Sequence, residues 1–235
     1  MTNHIEALRE IIETRRSVRR FTDEEIPREV IEECLRLAIL APNSSNLQPW
    51  EFYVVSSENE RKQLAAACFQ QRAAKTAAVL IAVVGRSKSW KENAQKLLNE
   101  WPGDIPPAVE SYYTKTVKLL YTQGPLGILG FARKIMMTVV GLFRPVPRGP
   151  FSKQGMQTWA AKTCALAAEN LMLALKAHGY DSCPMEGFDE KRVRKILGYP
   201  SDAFTVMMIG AGKGAADGIY YPRMRFDSKH HVFEV

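Results

Sequence analysis

The sequence is short of the devices on which disulfide-stapled and metal-holding proteins depend. Its four cysteines, Cys34, Cys68, Cys164 and Cys183, are scattered, with no C-x-x-C pair and no matching histidine spacing. Neither a disulfide framework nor a zinc site is signalled. The four histidines are equally uninformative: His230 and His231 are adjacent, without the i, i+4 helical placement of a zinc protease, and no G-x-S-x-G accompanies them. Hydrolase chemistry therefore finds no support. The first thirty residues carry Arg9, Arg15, Arg16, Arg19 and Arg20 among acids and lack an apolar core, which argues against a signal peptide. A reducing, cytoplasmic location is the expectation.

Long uncharged apolar runs are also missing. The nearest approach, Leu126 to Phe143, has Arg133 and Lys134 near its centre and is interrupted by Gly127, Gly130 and Gly141. A charge at that depth costs roughly 2.5 to 3.5 kcal/mol on insertion scales, so a membrane span is excluded in favour of a lid, a dimer-contacting helix or an interfacial helix. Acids are absent over a longer stretch. Between Glu110 and Glu169 there are eight bases and no carboxylate, and subtracting these eight from the formal charge of +7 leaves −1 for the rest of the chain.

What remains is an ordinary globular composition, 46% hydrophobic and 24% charged over 235 residues, enough for one domain with a sizeable core. Ile5, Leu8, Ile11 and Ile12 share a helical face, and Val30, Ile31, Cys34, Leu35 and Ala38 share another after Pro27. Asn43 to Asn46 is a polar loop before a strand at Trp50–Val55. A helix is expected over Glu58–Arg72, a buried strand over Val79–Val84 and another strand over Phe204–Ile209. Gln157–His178, unbroken by Gly or Pro and closed by Gly179, is the expected central helix, while Asp189 caps a short helix that Gly198 ends. Residues 86–155, dense in proline, have the composition of an insertion within a single domain 1–235, and the last 25 residues read as an arm. The plan is α+β, without regular βαβ alternation.

Gly210, Gly212, Lys213 and Gly214 imitate a phosphate loop, but Met207 and Gly214 stand where a Walker motif needs Gly and Ser or Thr. Tight turning against a neighbour is the better reading of these glycines. A more coherent set lies elsewhere. R-R-S-V-R-R-F, Arg15 to Phe21, offers guanidinium forks and a hydroxyl suited to phosphate. A-P-N-S-S-N-L-Q-P-W, Ala41 to Trp50, is rich in amide and hydroxyl groups, and P-R-M-R-F, Pro222 to Phe226, adds two cations at i, i+2 spacing.

Together with P-M-E-G-F-D, Pro184 to Asp189, and the terminal G-A-G-K-G, these motifs resemble, in order, the landmarks of the FMN-dependent nitroreductase family. The resemblance covers about residues 5–84 and 156–227. It implies a central mixed or antiparallel sheet flanked by helices in an intertwined homodimer, with FMN at the subunit interface. On that basis Arg15, Arg16, Ser17, Arg19, Arg223 and Arg225 surround the FMN phosphate, with Arg223 in place of a lysine found in some relatives. Pro42, Asn43, Ser44 and Asn46 reach the flavin or its ribityl chain from the second subunit, and the side-chain amide of Gln71 meets the pyrimidine edge. Pro184, Met185, Glu186 and Gly187 lie beside the ring, the Glu186 and Gly187 backbone near N5. No residue is assigned acid–base catalysis, because the flavin carries the chemistry.

The implied activity is an FMN-dependent oxidoreductase that takes hydride from NAD(P)H and reduces nitroaromatic, quinone-like or related conjugated acceptors in ping-pong order. Arg133, Lys134, Arg144 and Arg148 are expected to draw in an anionic donor from an insertion covering the flavin. The same scaffold admits dehalogenation, dehydrogenation or flavin breakdown. A third reading is a non-catalytic flavin-binding module on a membrane surface. Nucleic acid is not an expected partner, since no aromatic-rich basic stripe accompanies the charge.

Overall fold

The computed structural model describes residues 3–235. Helix α1 spans His4–Thr14 and α2 Arg28–Ala38, with Pro27 immediately before its first turn. Strand β1, Trp50–Val55, is followed by α3, Glu58–Ala67, α4, Arg72–Thr76, and β2, Val79–Arg86. Next come α5, Trp90–Asn99, α6, Pro107–Ser111, a π-helical stretch Tyr112–Val117, α7, Lys118–Tyr121, and α8, Ile128–Val140. Helix α9, Lys153–Ala177, β3, Asp181–Met185, α10, Glu190–Leu197, and β4, Ala203–Gly212, complete the core, and the arm beyond holds only one 3-10 turn.

The four strands form one antiparallel sheet in the order β1-β2-β4-β3. Strand β2 is central and buried on both faces, and its side chains divide with the period of two that a pleated strand imposes. Val79, Ile81 and Val83 join Cys164, Leu171 and Leu175 of α9 and Cys34 and Ala38 of α2 in one core. Leu80, Ala82 and Val84 join Leu64 of α3, Ala73 of α4 and Val193 of α10 in the other. A third cluster, Leu47, Val117, Tyr121, Met156 and Trp159, seats the segment between β2 and α9 on the body. The four cysteines are free and buried, and burial pushes the Cys164 thiol up to about 12.

The caps act as expected at α10, where Asp189 accepts from Lys191 N and Arg192 N and Gly198 closes the helix in the left-handed region. Helix α9 starts at Ser152, whose side chain accepts from Gly155 N. Two expectations fail. The helix read over Glu58–Arg72 breaks after Ala67, because Phe69 and Gln70 both adopt φ of 55° and turn the chain before α4. Strand β3 was not expected, since Pro184 interrupts its pattern; an edge strand tolerates a residue without an N–H.

Candidate functional site

Helix α1 ends where Arg15 turns extended, at φ −61° and ψ 128°. From there the basic motif runs along the β3 edge instead of continuing as helix. Val18 N donates to Ser182 O at 3.1 Å, Arg19 N to Gly218 O at 2.7 Å and Thr22 N to Lys213 O at 2.8 Å. Val18 and Phe21 sink into the core, which leaves Arg16, Arg19 and Arg20 on the accessible side. The glycine-rich end of β4 makes this possible: a Cβ on Gly212 would meet the Phe21 side chain at 3.0 Å, and one on Gly218 would meet Arg20 O at 2.6 Å. These glycines serve close backbone approach, as their sequence context indicated.

The chain's far end closes on the same place. Arg16 Nη2 donates to Tyr221 O at 2.7 Å, Arg223 Nη2 donates to Arg15 O, and Arg19 lies over the Tyr220 ring at 5.5 Å. Arg20 is different in kind, because it pairs with Asp217 at 2.6 Å, a carboxylate that Arg72 also approaches at 3.4 Å. Arg15 reaches Glu169 only at 3.8 Å. Among the described residues, Arg16, Arg19 and Arg223 have no carboxylate within 4.0 Å. Arg225 donates only to the neighbouring Met224 O, so the structure brings Arg223 to the basic motif and leaves Arg225 outside it. Ser17 bridges to Ser182, whose Oγ is buried and has no hydrogen-bond partner. Burial pushes the adjacent Cys183 thiol up, against a smaller downward pull from Arg19.

At the other end of β3, Glu186 and Gly187 are exposed, whereas the Met185 side chain packs in the core. Gln71, at the start of α4, donates its side-chain amide to Gly187 O at 2.6 Å. A Cβ on Gly187 would come within 3.2 Å of that same nitrogen. The turn read from sequence and the distant glutamine therefore do converge.

The polar loop sits apart. Asn43 Oδ1 accepts from Gln48 N at 2.9 Å, Ser45 and Asn46 take left-handed φ of 59° and 50°, and Pro42, Ser44 and Asn46 are exposed. The segment after β2 holds the loop: Ser44 Oγ lies 3.1 Å from Tyr121 Oη, Tyr113 Oη donates to Ser45 O at 3.1 Å, and Asn93 donates to Leu47 O at 2.8 Å. This loop leads into β1, at the opposite edge of the sheet from the basic motif. Gly85, opposite Trp50, pairs with Phe204, whereas Ser182 pairs with Ala211. Seven residues along β4 and three strand spacings across the sheet put the Trp50 backbone about 25 Å from that of Ser182.

One sequence assignment needs correcting. Arg133 is buried and donates to the carbonyls of Leu119, Thr122 and Pro150, so it is a structural cation and not one that draws in a ligand. Sequence reasoning also missed Ser182, Asp217 and Tyr220. Their contacts arise from β3 pairing and arm closure, and only the Y-Y-P-R run at Tyr220–Arg223 hinted at an aromatic beside the cations.

Comparison with known proteins follows the same outline. Residues 12–213 match the profile of the Nitroreductase family. A relative named NADH dehydrogenase from Thermus thermophilus is 30% identical over 211 residues, spanning 90% of this chain and 87% of its own. An iodotyrosine deiodinase from Thermotoga neapolitana is 26% identical over 226 residues, 96% of this chain and 98% of its own. A provisionally named nitroreductase from Exiguobacterium sibiricum, solved in complex with FMN, superposes with a TM-score of 0.69 at 26% identity and covers 97% of both chains.

Proposed function

The chain belongs to the nitroreductase family, and on that premise we propose that it is an FMN-dependent NAD(P)H oxidoreductase of nitroaromatic, quinone-like or related conjugated acceptors. The observation that carries this reading is the gathering of Arg16, Arg19 and Arg223 from both ends of the polypeptide without a neutralising carboxylate. Guanidinium groups so placed are poised for a dianion, which they bind bidentately. Ser182, whose backbone bridges to Ser17 and Val18 of the basic motif, adds a buried hydroxyl without a partner, a donor of the kind a phosphate oxygen uses. The residues fit the group.

In this reading Arg15, Arg16, Ser17, Arg19 and Arg223 hold the FMN phosphate. Pro184, Glu186 and Gly187 flank the ring through the backbone, and Gln71 fixes the Gly187 carbonyl while offering an amide at the same edge. When bound, FMN supplies hydride transfer from NAD(P)H to an acceptor in ping-pong order. The protein's part is to bind, orient and cover. In this reading Pro42, Asn43, Ser44 and Asn46 serve the site of a second copy in a homodimer, which their place before β1, at the sheet edge opposite the basic motif, supports. Residues 86–155 form an insertion that buttresses this loop through Tyr113, Tyr121 and Asn93. A visible absorbance spectrum of the purified protein and turnover of a nitroaromatic and a quinone with NADPH and NADH test the proposal. Colourless protein that takes up no added FMN, or flavoprotein that oxidises neither donor, refutes it.

The deiodinase relative supports a second reading, reductive dehalogenation on the same scaffold. Release of iodide from an iodinated tyrosine under a flavin reductant, without turnover of the nitroaromatic, would favour it.

A further inference from the structure

Helix α8 is attached to the body by a narrow seam. Only Gly130 and Arg133 are buried along it. A Cβ on Gly130 would strike Phe151 O and Gln123 Oε1 at 2.3 Å, so the missing side chain lets the helix lie directly on that backbone. Arg133 reaches across the seam, with its guanidinium 5.5 Å from the Phe151 ring centroid and its donors on three carbonyls. A buried guanidinium satisfied by backbone oxygens fixes the rotation of the helix about its axis.

That rotation turns large apolar side chains to solvent. Leu126 is 99% exposed, Phe143 84%, Leu142 77% and Phe131 64%, with Ile128 and Ile135 between them. Scattered exposed leucines need no explanation, but apolar residues running along α8 and onto the turns at both its ends mark an interaction surface. Lys134, Arg144 and Arg148 are exposed on the same segment, which belongs to the acid-free stretch between Glu110 and Glu169. Apolar anchors interleaved with cations, and no carboxylate over nearly sixty residues, complement a surface that is apolar within and anionic at its face.

We propose that Leu126–Arg148 docks this protein on an anionic lipid bilayer, with α8 lying in the plane of the headgroups. Its 13 residues extend about 20 Å, well short of the hydrocarbon thickness, and no helix among the described residues is long and apolar enough to cross a membrane. A second copy is the competing occupant, but its own matching segment carries the same eight bases without an acid. Another exposed apolar face, Ile5, Leu8 and Ile12 on α1, lies among Glu6, Glu10 and Glu13 and is available for self-association without that charge conflict.

The test is co-sedimentation of the full chain, supplied with FMN, with vesicles of phosphatidylcholine containing phosphatidylglycerol, and with phosphatidylcholine alone. Binding to the first that salt abolishes, with little to the second, is expected. K134Q/R144Q/R148Q should lower the partition coefficient roughly 100-fold, from about fivefold per cation. F131S/L142S/F143S should lower it comparably with an unchanged thermal midpoint and an unchanged mass by light scattering. No sedimentation with anionic vesicles at low salt overturns the proposal. So does a fall in mass for the serine variant, which would give this face to a second copy.

Discussion

The basic cluster allows flavin phosphate recognition to be isolated from the rest of flavin binding. Arg16 donates to Tyr221 O and meets no carboxylate, whereas Arg20, on the same motif, is closed onto Asp217 at 2.6 Å. A charge-assisted hydrogen bond to phosphate contributes roughly 1.5 to 3 kcal/mol, which at about 1.4 kcal/mol per decade is a ten- to hundredfold change in Kd. Arg16→Gln and Arg223→Gln should each weaken FMN by that factor. Their combination should fall short of the product, since both side chains also tie the arm to the first motif and share that loss. Arg20→Gln, an exposed ion pair, should change the Kd by less than about threefold. Titration of apoprotein followed by flavin fluorescence supplies the constants, and riboflavin supplies the control, because it lacks the phosphate. Arg16→Gln should narrow the preference for FMN over riboflavin by the same factor as it weakens FMN, while leaving riboflavin affinity unchanged. An unaltered FMN constant in both variants, or an equal loss for riboflavin, would refute the assignment of these guanidinium groups to phosphate.

Three further outcomes concern stability. Arg86 joins Glu51 of β1 to Asp202 before β4, and Arg86→Met should cost about 2 kcal/mol in urea unfolding, less than a fully buried pair because the trio stays partly exposed. Burial pushes the Asp202 carboxyl up, but the Arg86 hydrogen bond and charge outweigh it and hold it below the usual range. A depressed carboxylate stabilises above its unfolded value, near about 3.9, and that stability is lost as pH falls through the folded value; the urea midpoint should drop below about pH 4, and less steeply in Arg86→Met. Leu171→Ala, at a fully buried site between α9 and β2, should cost about 3 kcal/mol by thermal or urea unfolding. Asp189→Ala, which strips α10 of its cap, should cost about 1 kcal/mol, with a cost near zero counting against the capping geometry.

The parts of the fold that rest on periodicity were legible from the residues. Strands at Trp50–Val55 and Val79–Val84 and the long α9 declare themselves because burial on one or both faces leaves a recurrent apolar pattern, and the second strand runs two residues further, to Arg86. Elements decided by tertiary contact did not. The break at Phe69–Gln70 has neither Gly nor Pro to announce it, yet it is what delivers Gln71 to Gly187. Strand β3 hides behind Pro184 and becomes a strand only because β4 lies beside it. Among the site residues, the motifs were visible as chemistry, and the reading that left Arg20 out of the phosphate set agrees with its pairing to Asp217, but nothing local distinguished Arg223 from Arg225. The path of the arm makes that distinction, across some 200 positions of sequence.

The distance between the basic cluster and the polar loop has a genetic consequence. In the proposed homodimer a pocket draws on both by taking each from a different polypeptide, so lesions in the two regions of one chain fall on different pockets. Coexpressed chains, one carrying Arg16→Gln and the other Asn43→Ala, would assemble mixed pairs in which one pocket inherits both defects and the other inherits neither. At FMN concentrations too low to fill the altered pockets, each mixed pair would then keep up to half the activity of a wild-type pair.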